Sequence, residues 1–226
     1  MPGGIDSDDV LYGDLLRSRA NIYAHCPDLK QALEGLHPLT HLLVLLDRSG
    51  SAAYDSSVTQ QQYQVLTELS ELMEHEGLAD QRLSAFGFSA NETFAVKTVI
   101  SPPLYYDSFV SRGGGEGTSI SRTLDFALDH LIYDDHGAVL LVSDGIDGSP
   151  AEAAEKIRML REARKPFGLL LQDHSYTDAE HAFAADIASE TYADAPTFTI
   201  SPLADTSRNV RLGIGHVIEQ LGRDQD

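Results

Sequence analysis

The sequence has few of the residues that form disulfides or that bind nucleic acid and membranes. One cysteine, Cys26, occurs among 226 residues, which excludes an internal disulfide, and no Cys/His cluster has zinc spacing. The 16 basic residues are outnumbered by 35 acidic ones, and the net charge is −19. Nucleic acid and anionic lipid are bound mainly by Lys and Arg, so this charge argues against both. No apolar run reaches the length of a membrane helix.

These absences predict a cytoplasmic protein that binds neither nucleic acid nor membranes. Residues 1–41 contain no basic segment followed by a long apolar stretch, so we expect no secretory signal there. An apolar fraction of 42% with 8% aromatic residues is ordinary for a globular protein and argues against disorder. A chain of 226 residues is long enough to bury the core of one large α/β domain.

Strand-like and helix-like patterns alternate along the chain after residue 40. Short apolar and β-rich runs predict six strands, at 41–46, 82–88, 93–100, 138–143, 167–172 and 197–200. Apolar residues at helical spacing predict the intervening helices, at 59–76, 118–131, 150–164, 178–190 and 207–221. Such alternation implies parallel strands joined by right-handed crossovers, with helices on both faces of the sheet.

One short polar connection modifies this parallel arrangement. Residues 89–92 separate two β-rich runs and predict a hairpin, which places one antiparallel strand at an edge of the sheet. We therefore predict an α/β fold with a doubly wound, mostly parallel six-stranded sheet of Rossmann-like type. This domain is assigned residues 41–226. Residues 1–40 are predicted to be an N-terminal extension that is partly helical, with short helices at 10–20 and 27–36.

The strand at 41–46 ends in a cluster of oxygen-bearing side chains, Asp47-x-Ser49-x-Ser51. In an open α/β sheet, ligands bind outside the carboxyl ends of the strands, which is where these side chains would lie. Carboxylate and hydroxyl oxygens suit Mg²⁺ or Mn²⁺ and are poor ligands for zinc or copper. The same residues also fit simple caps of the following turn, which Asp and Ser commonly form.

Two further oxygen-bearing positions follow other predicted elements. Thr118 opens a helix after the glycine-rich run at 113–117, and Asp144-Gly145 follows the strand at 138–143. Each has a plain structural interpretation as well. Thr118 fits the N-cap of its helix, and Asp144-Gly145 fits an ordinary turn.

Together these residues resemble the metal-ion-dependent adhesion site of the von Willebrand factor A (VWA) family. The family pattern is Asp-x-Ser-x-Ser, then a Thr in a glycine-rich loop, then an Asp usually followed by Gly, all on a doubly wound sheet. The resemblance spans roughly residues 41–221, and we assign the chain to the bacterial intracellular type of the family.

The resemblance implies a metal-binding role for five residues. Ser49 and Ser51 would ligate the metal through their hydroxyls, and Thr118 directly or through water. Asp47 and Asp144 would hold coordinated waters and accept hydrogen bonds from the serines. The implied ion is Mg²⁺, with Mn²⁺ or Ca²⁺ as alternatives. Neutral hydroxyl ligands leave much of the ion's charge uncompensated, so an open coordination position attracts a carboxylate.

Several residues near the predicted site lie outside the family pattern. Ala52 follows the second serine, where many intracellular members carry Met, and Glu116 lies in an unusually long glycine loop. A carboxylate at position 116 could occupy or screen the open coordination position. Asp147 is interpreted as a loop or cap residue rather than a ligand, and His130 and His136 as surface residues.

The function implied by the resemblance is a non-catalytic, Mg²⁺-dependent protein-interaction module. It would bind an Asp or Glu carboxylate presented by a protein partner, since an acidic domain needs a bridging cation to bind an acidic side chain. Related bacterial members often work beside AAA+ ATPases, metal chelatases or stress-resistance systems such as tellurite resistance.

The alternative is a Mg²⁺-dependent hydrolase or phosphotransferase that uses Asp47. The haloacid-dehalogenase-type pattern requires Asp-x-Asp, whereas Ser49 occupies the second acidic position here. No Ser-His-Asp order or Gly-x-Ser-x-Gly motif stands out in the sequence. We therefore predict that the chain is not an enzyme.

Overall fold

The computed structural model describes residues 34–50, 52, 56–75, 82–96, 117–172, 190–193, 195–200 and 206–224. Ser51, Glu116, the helix predicted at 10–20, and most of those predicted at 27–36 and 178–190 lie outside these residues. The elements follow in the order β1 (His41–Asp47), α1 (Ser56–His75), β2 (Arg82–Phe88), β3 (Thr93–Val96), α2 (Ile120–His130), β4 (Gly137–Ser143), α3 (Pro150–Glu162), β5 (Phe167–Gln172), β6 (Thr197–Ile200) and α4 (Thr206–Arg223).

Six strands form one mixed sheet, in the order β3-β2-β1-β4-β5-β6. All neighbouring strands are parallel except β2 and β3, which are antiparallel and form the predicted hairpin at the sheet edge. The predicted fold class is therefore confirmed. Strand β1 lies in the middle, with Leu46 opposite Val142 of β4. The carboxyl ends of β1 and β4 therefore lie side by side in the middle of the sheet.

Apolar residues cover both faces of the sheet, which explains the uninterrupted apolar runs of its central strands. Alternate residues of β1 enter different cores: Leu42 and Val44 belong to one, Leu43 and Leu45 to the other. The first core includes residues of α1 and α4, namely Val65, Leu66, Leu69, Val210 and Ile214. The second includes residues of α2 and α3, namely Ile120, Leu124, Ala153, Ile157 and Leu160.

The segment just before β1 packs against the last helix. Leu36 and Leu39 are buried in the first core. A Cβ added to Gly35 would lie well under 3.0 Å from the carbonyl oxygen of Ile218, so the two backbones are in direct contact. The end of the predicted N-terminal extension therefore shares a core with the sheet.

Helix boundaries differ by a few residues from the predicted ones. Helix α1 begins at Ser56 rather than residue 59, and α2 begins at Ile120 rather than Thr118. Shifts of two or three residues are expected at helix ends, where the apolar period does not define the boundary. Among the described residues, no helix combines the length and the apolar character needed to cross a lipid bilayer.

Candidate metal centre

Asp47 ends β1 and is fully buried. Its Oδ1 accepts a hydrogen bond from the backbone N–H of Ser49 at 2.9 Å, and its Oδ2 accepts one from the hydroxyl of Ser143 at 2.7 Å. The hydroxyl of Ser49 donates to the same carboxylate. Two hydroxyls, one from the loop after β1 and one from the end of β4, thus converge on one carboxylate.

Asp144 is buried in the turn that follows β4. Its Oδ1 accepts a hydrogen bond from the N–H of Ile146 at 3.0 Å, and the N–H of Gly145 donates to Ser143 Oγ at 3.1 Å. Gly145 has φ +76°, in the left-handed region that favours glycine. The Asp144-Gly145 pair is therefore a true turn, and this turn places a second buried carboxylate beside the first.

The two carboxylates repel each other electrostatically. Burial, and secondly the negative charge of Asp144, raise the pKa of Asp47 to about 6, while hydrogen bonds from Ser143 and Ser49 act in the opposite direction. A divalent cation bound here would offset both the burial and the repulsion. The donor set, carboxylates with hydroxyls, also suits a hard cation. The described residues therefore fit the metal that the sequence predicts.

Tyr192 lies against the same acidic cluster. Its hydroxyl donates to the carbonyl oxygen of Gly145 at 3.3 Å, and its ring stacks on Phe167 with centroids 6.1 Å apart. Burial, and then the charges of Asp147, Asp144 and Asp47, raise the pKa of the Tyr192 phenol. This tyrosine therefore stays neutral, and its hydroxyl supports the Asp144 turn through the carbonyl of Gly145.

Thr118 lies two residues before α2 and is half-buried. The N-cap of α2 is Ser119, so the interpretation of Thr118 as the N-cap was wrong by one residue. Gly117, with φ +71°, accepts a hydrogen bond from the N–H of Ala90 at 3.1 Å, which ties this loop to the β2–β3 hairpin. The carbonyl oxygen of Thr118 would lie 3.9 Å from a Cβ added to Gly148. The backbone of Thr118 thus lies beside the loop that carries Asp144.

The structure places four of the five predicted ligands near the carboxyl ends of the strands. Asp47 and Ser49 are hydrogen-bonded, Asp144 lies within electrostatic range of Asp47, and Thr118 adjoins the Asp144 loop. Ser51 lies outside the described residues. Within the described part of the chain, no group of three or more His, Cys, Asp or Glu side chains is placed to hold a metal. The predicted set contains only two carboxylates and otherwise hydroxyls.

A buried polar network behind the site was not predicted. Arg48 is fully buried and donates to Thr59 Oγ1 at 2.9 Å and to Gln62 Oε1 at 3.1 Å. The amide nitrogen of Gln62 donates to the carbonyl oxygen of Asp47 at 2.6 Å and to Gln172 Oε1 at 2.8 Å. These bonds hold the end of β1 against α1 and β5. The polar pair at positions 59 and 62, three residues apart on an amphipathic helix, was the available sequence signal.

Ser143 was also missed as a functional residue. Its hydroxyl donates to Asp47 Oδ2 at 2.7 Å and accepts the N–H of Gly145 at 3.1 Å, so it links both carboxylate-bearing turns. The sequence signal is a hydroxyl residue that ends an apolar strand directly before an acid. Its partner depends on the pairing of β1 with β4, which the sequence alone does not specify.

Asp147 is a cap residue, as predicted, although it caps a distant helix. Its Oδ2 accepts the N–H of Ser121 in α2 at 3.0 Å, and its Oδ1 accepts the N–H of Ser149 at 3.3 Å. The carboxylate therefore bridges the loop after β4 and the first turn of α2.

A second polar cluster lies at the opposite, amino-terminal edge of the sheet. His41 is buried, with Nδ1 2.7 Å from Asp134 Oδ2 and Nε2 2.9 Å from Ser84 Oγ. This is the hydrogen-bond order of a Ser-His-Asp triad. However, Ser84 lies inside β2, opposite Leu43 of β1, and not on a turn that presents backbone N–H groups to a substrate carbonyl. We assign the cluster a structural role, in which His41 joins β1 to β2 and to the turn before β4.

His130, which was predicted to be a surface residue, is half-buried and packs among aromatic rings. Its ring stacks on Phe126 with centroids 5.3 Å apart and contacts Phe86 and His41 edge-on at 5.1 and 5.6 Å. Burial lowers the pKa of His130, as do the charges of His41 and Arg82. His136 is exposed, as predicted. The difference arises because His130 ends α2 and its ring packs against Phe86 of β2, whereas His136 lies in the turn just before β4.

The fold defined by this sheet order and these two helical layers is that of VWA domains. The chain is similar to the crystal structure of manganese-loaded Plasmodium vivax TRAP protein, with 18% identity, a TM-score of 0.51, and coverage of 77% of this chain and 72% of that one. It is also similar to the SpRpn10 VWA domain, with 10% identity, a TM-score of 0.51, and coverage of 76% and 94%. No protein-family profile matches the sequence, and no curated protein sequence matches it. At these identities the likeness concerns the fold.

Proposed function

We propose that the chain is a non-catalytic, Mg²⁺-dependent protein-interaction module that binds an acidic side chain of a protein partner. The observation that carries the proposal is the pair of buried carboxylates, Asp47 and Asp144, at the ends of adjacent strands, with hydroxyls hydrogen-bonded to the first of them. The VWA fold supports it, since VWA domains are usually interaction modules, and one solved structure of similar fold is described as manganese-loaded.

In the proposed site, different residues would contact the ion and supply the negative charge. The hydroxyls of Ser49, Ser51 and Thr118 would hold the ion, while Asp47 and Asp144 would supply negative charge and orient the hydroxyls. Bound Mg²⁺ would offer a Lewis-acidic position to an incoming oxygen. Mn²⁺ or Ca²⁺ would serve as alternatives. The buried polar network behind Asp47 would keep this loop in place whether or not an ion is bound.

The charge of the domain indicates which partner chemistry needs the ion. A chain with net charge −19 repels an acidic partner, so a bridging cation is what makes binding of an Asp or Glu side chain favourable. The proposed setting is the bacterial cytoplasm, with a larger assembly such as an AAA+ ATPase, a chelatase or a stress-resistance system as the source of the partner.

The hydrolase or phosphotransferase alternative has no support in the described site. A nucleophilic Asp must reach its substrate, whereas Asp47 is fully buried and held by hydrogen bonds from Ser49 and Ser143. A carboxylate held in this way can orient neighbouring hydroxyls and supply charge.

The metal assignment is tested with two adjacent hydroxyl residues. Thr118→Val removes the hydroxyl of a proposed ligand and keeps the branched shape of the side chain. Ser119→Ala removes the neighbouring hydroxyl, which makes no capping bond. We expect Mg²⁺ to raise the melting temperature of the wild type and of Ser119→Ala equally, and to have much less effect on Thr118→Val and Ser49→Ala. Equal responses from all four proteins would show that the ion binds elsewhere.

The partner assignment is tested by capture from cell extract. We expect proteins retained by the wild type in Mg²⁺ to be released by EDTA and to be absent with Thr118→Val. Replacement of the contact Asp or Glu of a captured protein by Asn or Gln should abolish binding. Binding that persists in EDTA would contradict a metal-bridged carboxylate.

A further inference from the structure

Two loops that carry proposed ligands are joined by one carboxylate. Asp147 lies three residues after Asp144 and is 7% exposed. Its Oδ2 accepts the backbone N–H of Ser121 at 3.0 Å, and Ser121 lies three residues after Thr118. The bond connects positions 26 residues apart in the chain. One end lies three residues from Thr118 and the other three residues from Asp144.

The bond takes the place of the capping interaction that α2 does not make locally. The first N–H groups of a helix have no partner within the helix, and an N-cap side chain usually accepts the second or third of them. Ser119, the N-cap of α2, makes no side-chain capping bond. Asp147 accepts the second helical N–H instead, and its negative charge interacts favourably with the helix N-terminus.

The second oxygen of Asp147 holds the carboxylate to the residues that follow it in the chain. Its Oδ1 accepts the N–H of Ser149 at 3.3 Å, and Ser149 is the N-cap of α3. The carboxylate is thus held at the start of α3 and reaches across to the start of α2. Both oxygens of Asp147 therefore accept backbone donors, one from each helix start.

We propose that Asp147 is a positioning residue that sets the separation between Thr118 and Asp144 in the metal site. The inference rests on the proposed function, since it concerns the same site. Thr118 itself precedes the helix and has its loop tied to Ala90 on one side. Asp147 supplies the tie on the other side, between α2 and the turn that carries Asp144. The shared core holds α2 and α3 together, and Asp147 adds a direct hydrogen bond between the two segments that carry the proposed ligands.

The test separates the capping role of Asp147 from its charge. Asp147→Ala removes both, and Asp147→Asn keeps an oxygen that can accept the Ser121 N–H. Asp129→Ala is the matched control, because Asp129 is an exposed acid in α2, the helix that Asp147 caps. Mg²⁺ affinity is measured by calorimetry in about 0.5 M salt, where the loss of an exposed charge such as that of Asp129 is largely screened. Each variant is first shown by circular dichroism to be fully folded.

We expect Asp147→Ala to weaken Mg²⁺ binding about 10- to 100-fold, as is typical when the support of a ligand is lost. Asp147→Asn should stay within about threefold of the wild type, and Asp129→Ala should match it, since neither change removes the acceptor of the Ser121 N–H. Equal losses in the Ala and Asn variants would overturn the proposal, because charge and not positioning would then be the cause.

A measurement without metal distinguishes this inference from the proposed function. In EDTA, we expect the amide hydrogen of Ser121 to exchange faster in Asp147→Ala than in the wild type, and at nearly the wild-type rate in Asp147→Asn. If the wild type binds no divalent cation, the proposed function fails, and the positioning role in the metal site fails with it. Unchanged exchange at Ser121 with intact Mg²⁺ binding by the wild type would overturn the positioning role alone.

Discussion

Replacing Asp47 by asparagine should make the metal-free protein more stable at pH 8. Burial and the charge of Asp144 raise the pKa of Asp47 from its usual 3.8 to about 6 in the fold. The folded protein therefore holds the proton more tightly than the unfolded chain does. The stability that comes from protonated Asp47 is complete below about pH 4 and is lost as the pH rises through about 6.

The size of this effect follows from the two pKa values. At about 1.4 kcal/mol for each pH unit between them, ionised Asp47 costs the fold about 3 kcal/mol above pH 7. Asparagine removes this cost but replaces one of two accepting oxygens by an amide group, which loses about 1 kcal/mol of hydrogen bonding with Ser143 or Ser49. We expect Asp47→Asn to be about 2 kcal/mol more stable than the wild type at pH 8 in EDTA.

Magnesium should reverse this order. At an ion concentration about 100 times the dissociation constant, the wild type gains about 2.7 kcal/mol, whereas the variant gains little because it lacks a charge that holds the ion. The assay is urea unfolding at pH 5, 6.5 and 8, with EDTA or Mg²⁺, and with exposed Asp129→Asn as the control for general charge effects. A metal-free wild type whose stability is constant over this pH range would refute the reasoning, as would a less stable Asp47→Asn.

Two further predictions concern residues that support the site or the fold. Ser143→Ala should lower the stability of the metal-free protein by about 1–3 kcal/mol, because a buried carboxylate oxygen and the Gly145 N–H lose their partner; an unchanged urea midpoint would argue against these bonds. Gly35→Ala should cost about 1–3 kcal/mol, because its Cβ would collide with the backbone at Ile218; a melting temperature equal to that of the wild type would show that this segment does not pack on α4.

The strand and helix pattern was readable from the sequence because it depends on local periodicity. Central strands of a doubly covered sheet are apolar on both faces, so the runs at 41–46 and 138–143 identify themselves. The carboxylates at their ends were readable for the same reason, since a parallel sheet places these ends at a common edge. The antiparallel edge strand followed from a connection too short for a crossover.

The supporting interactions were not readable, because each joins residues far apart in the chain. The bond from Ser143 to Asp47 spans 96 positions and depends on the pairing of β1 with β4. The position of His130 next to Phe86 and His41 depends on how α2 lies on the sheet. The sequence alone does not distinguish a half-buried histidine packed among aromatic rings from an exposed one.

The sequence by itself determined the helices and strands, their order along the chain, and the class of sheet that they form. It also determined which acids and hydroxyls end the strands. All of these depend on patterns a few residues long. Only the tertiary structure decided that Asp144 raises the pKa of Asp47, that Gln62 anchors the end of β1, and that Asp147 caps α2. The physical reason is that electrostatic and hydrogen-bond energies depend on distances through space. Those distances are set by strand register and helix packing, which no short stretch of sequence contains.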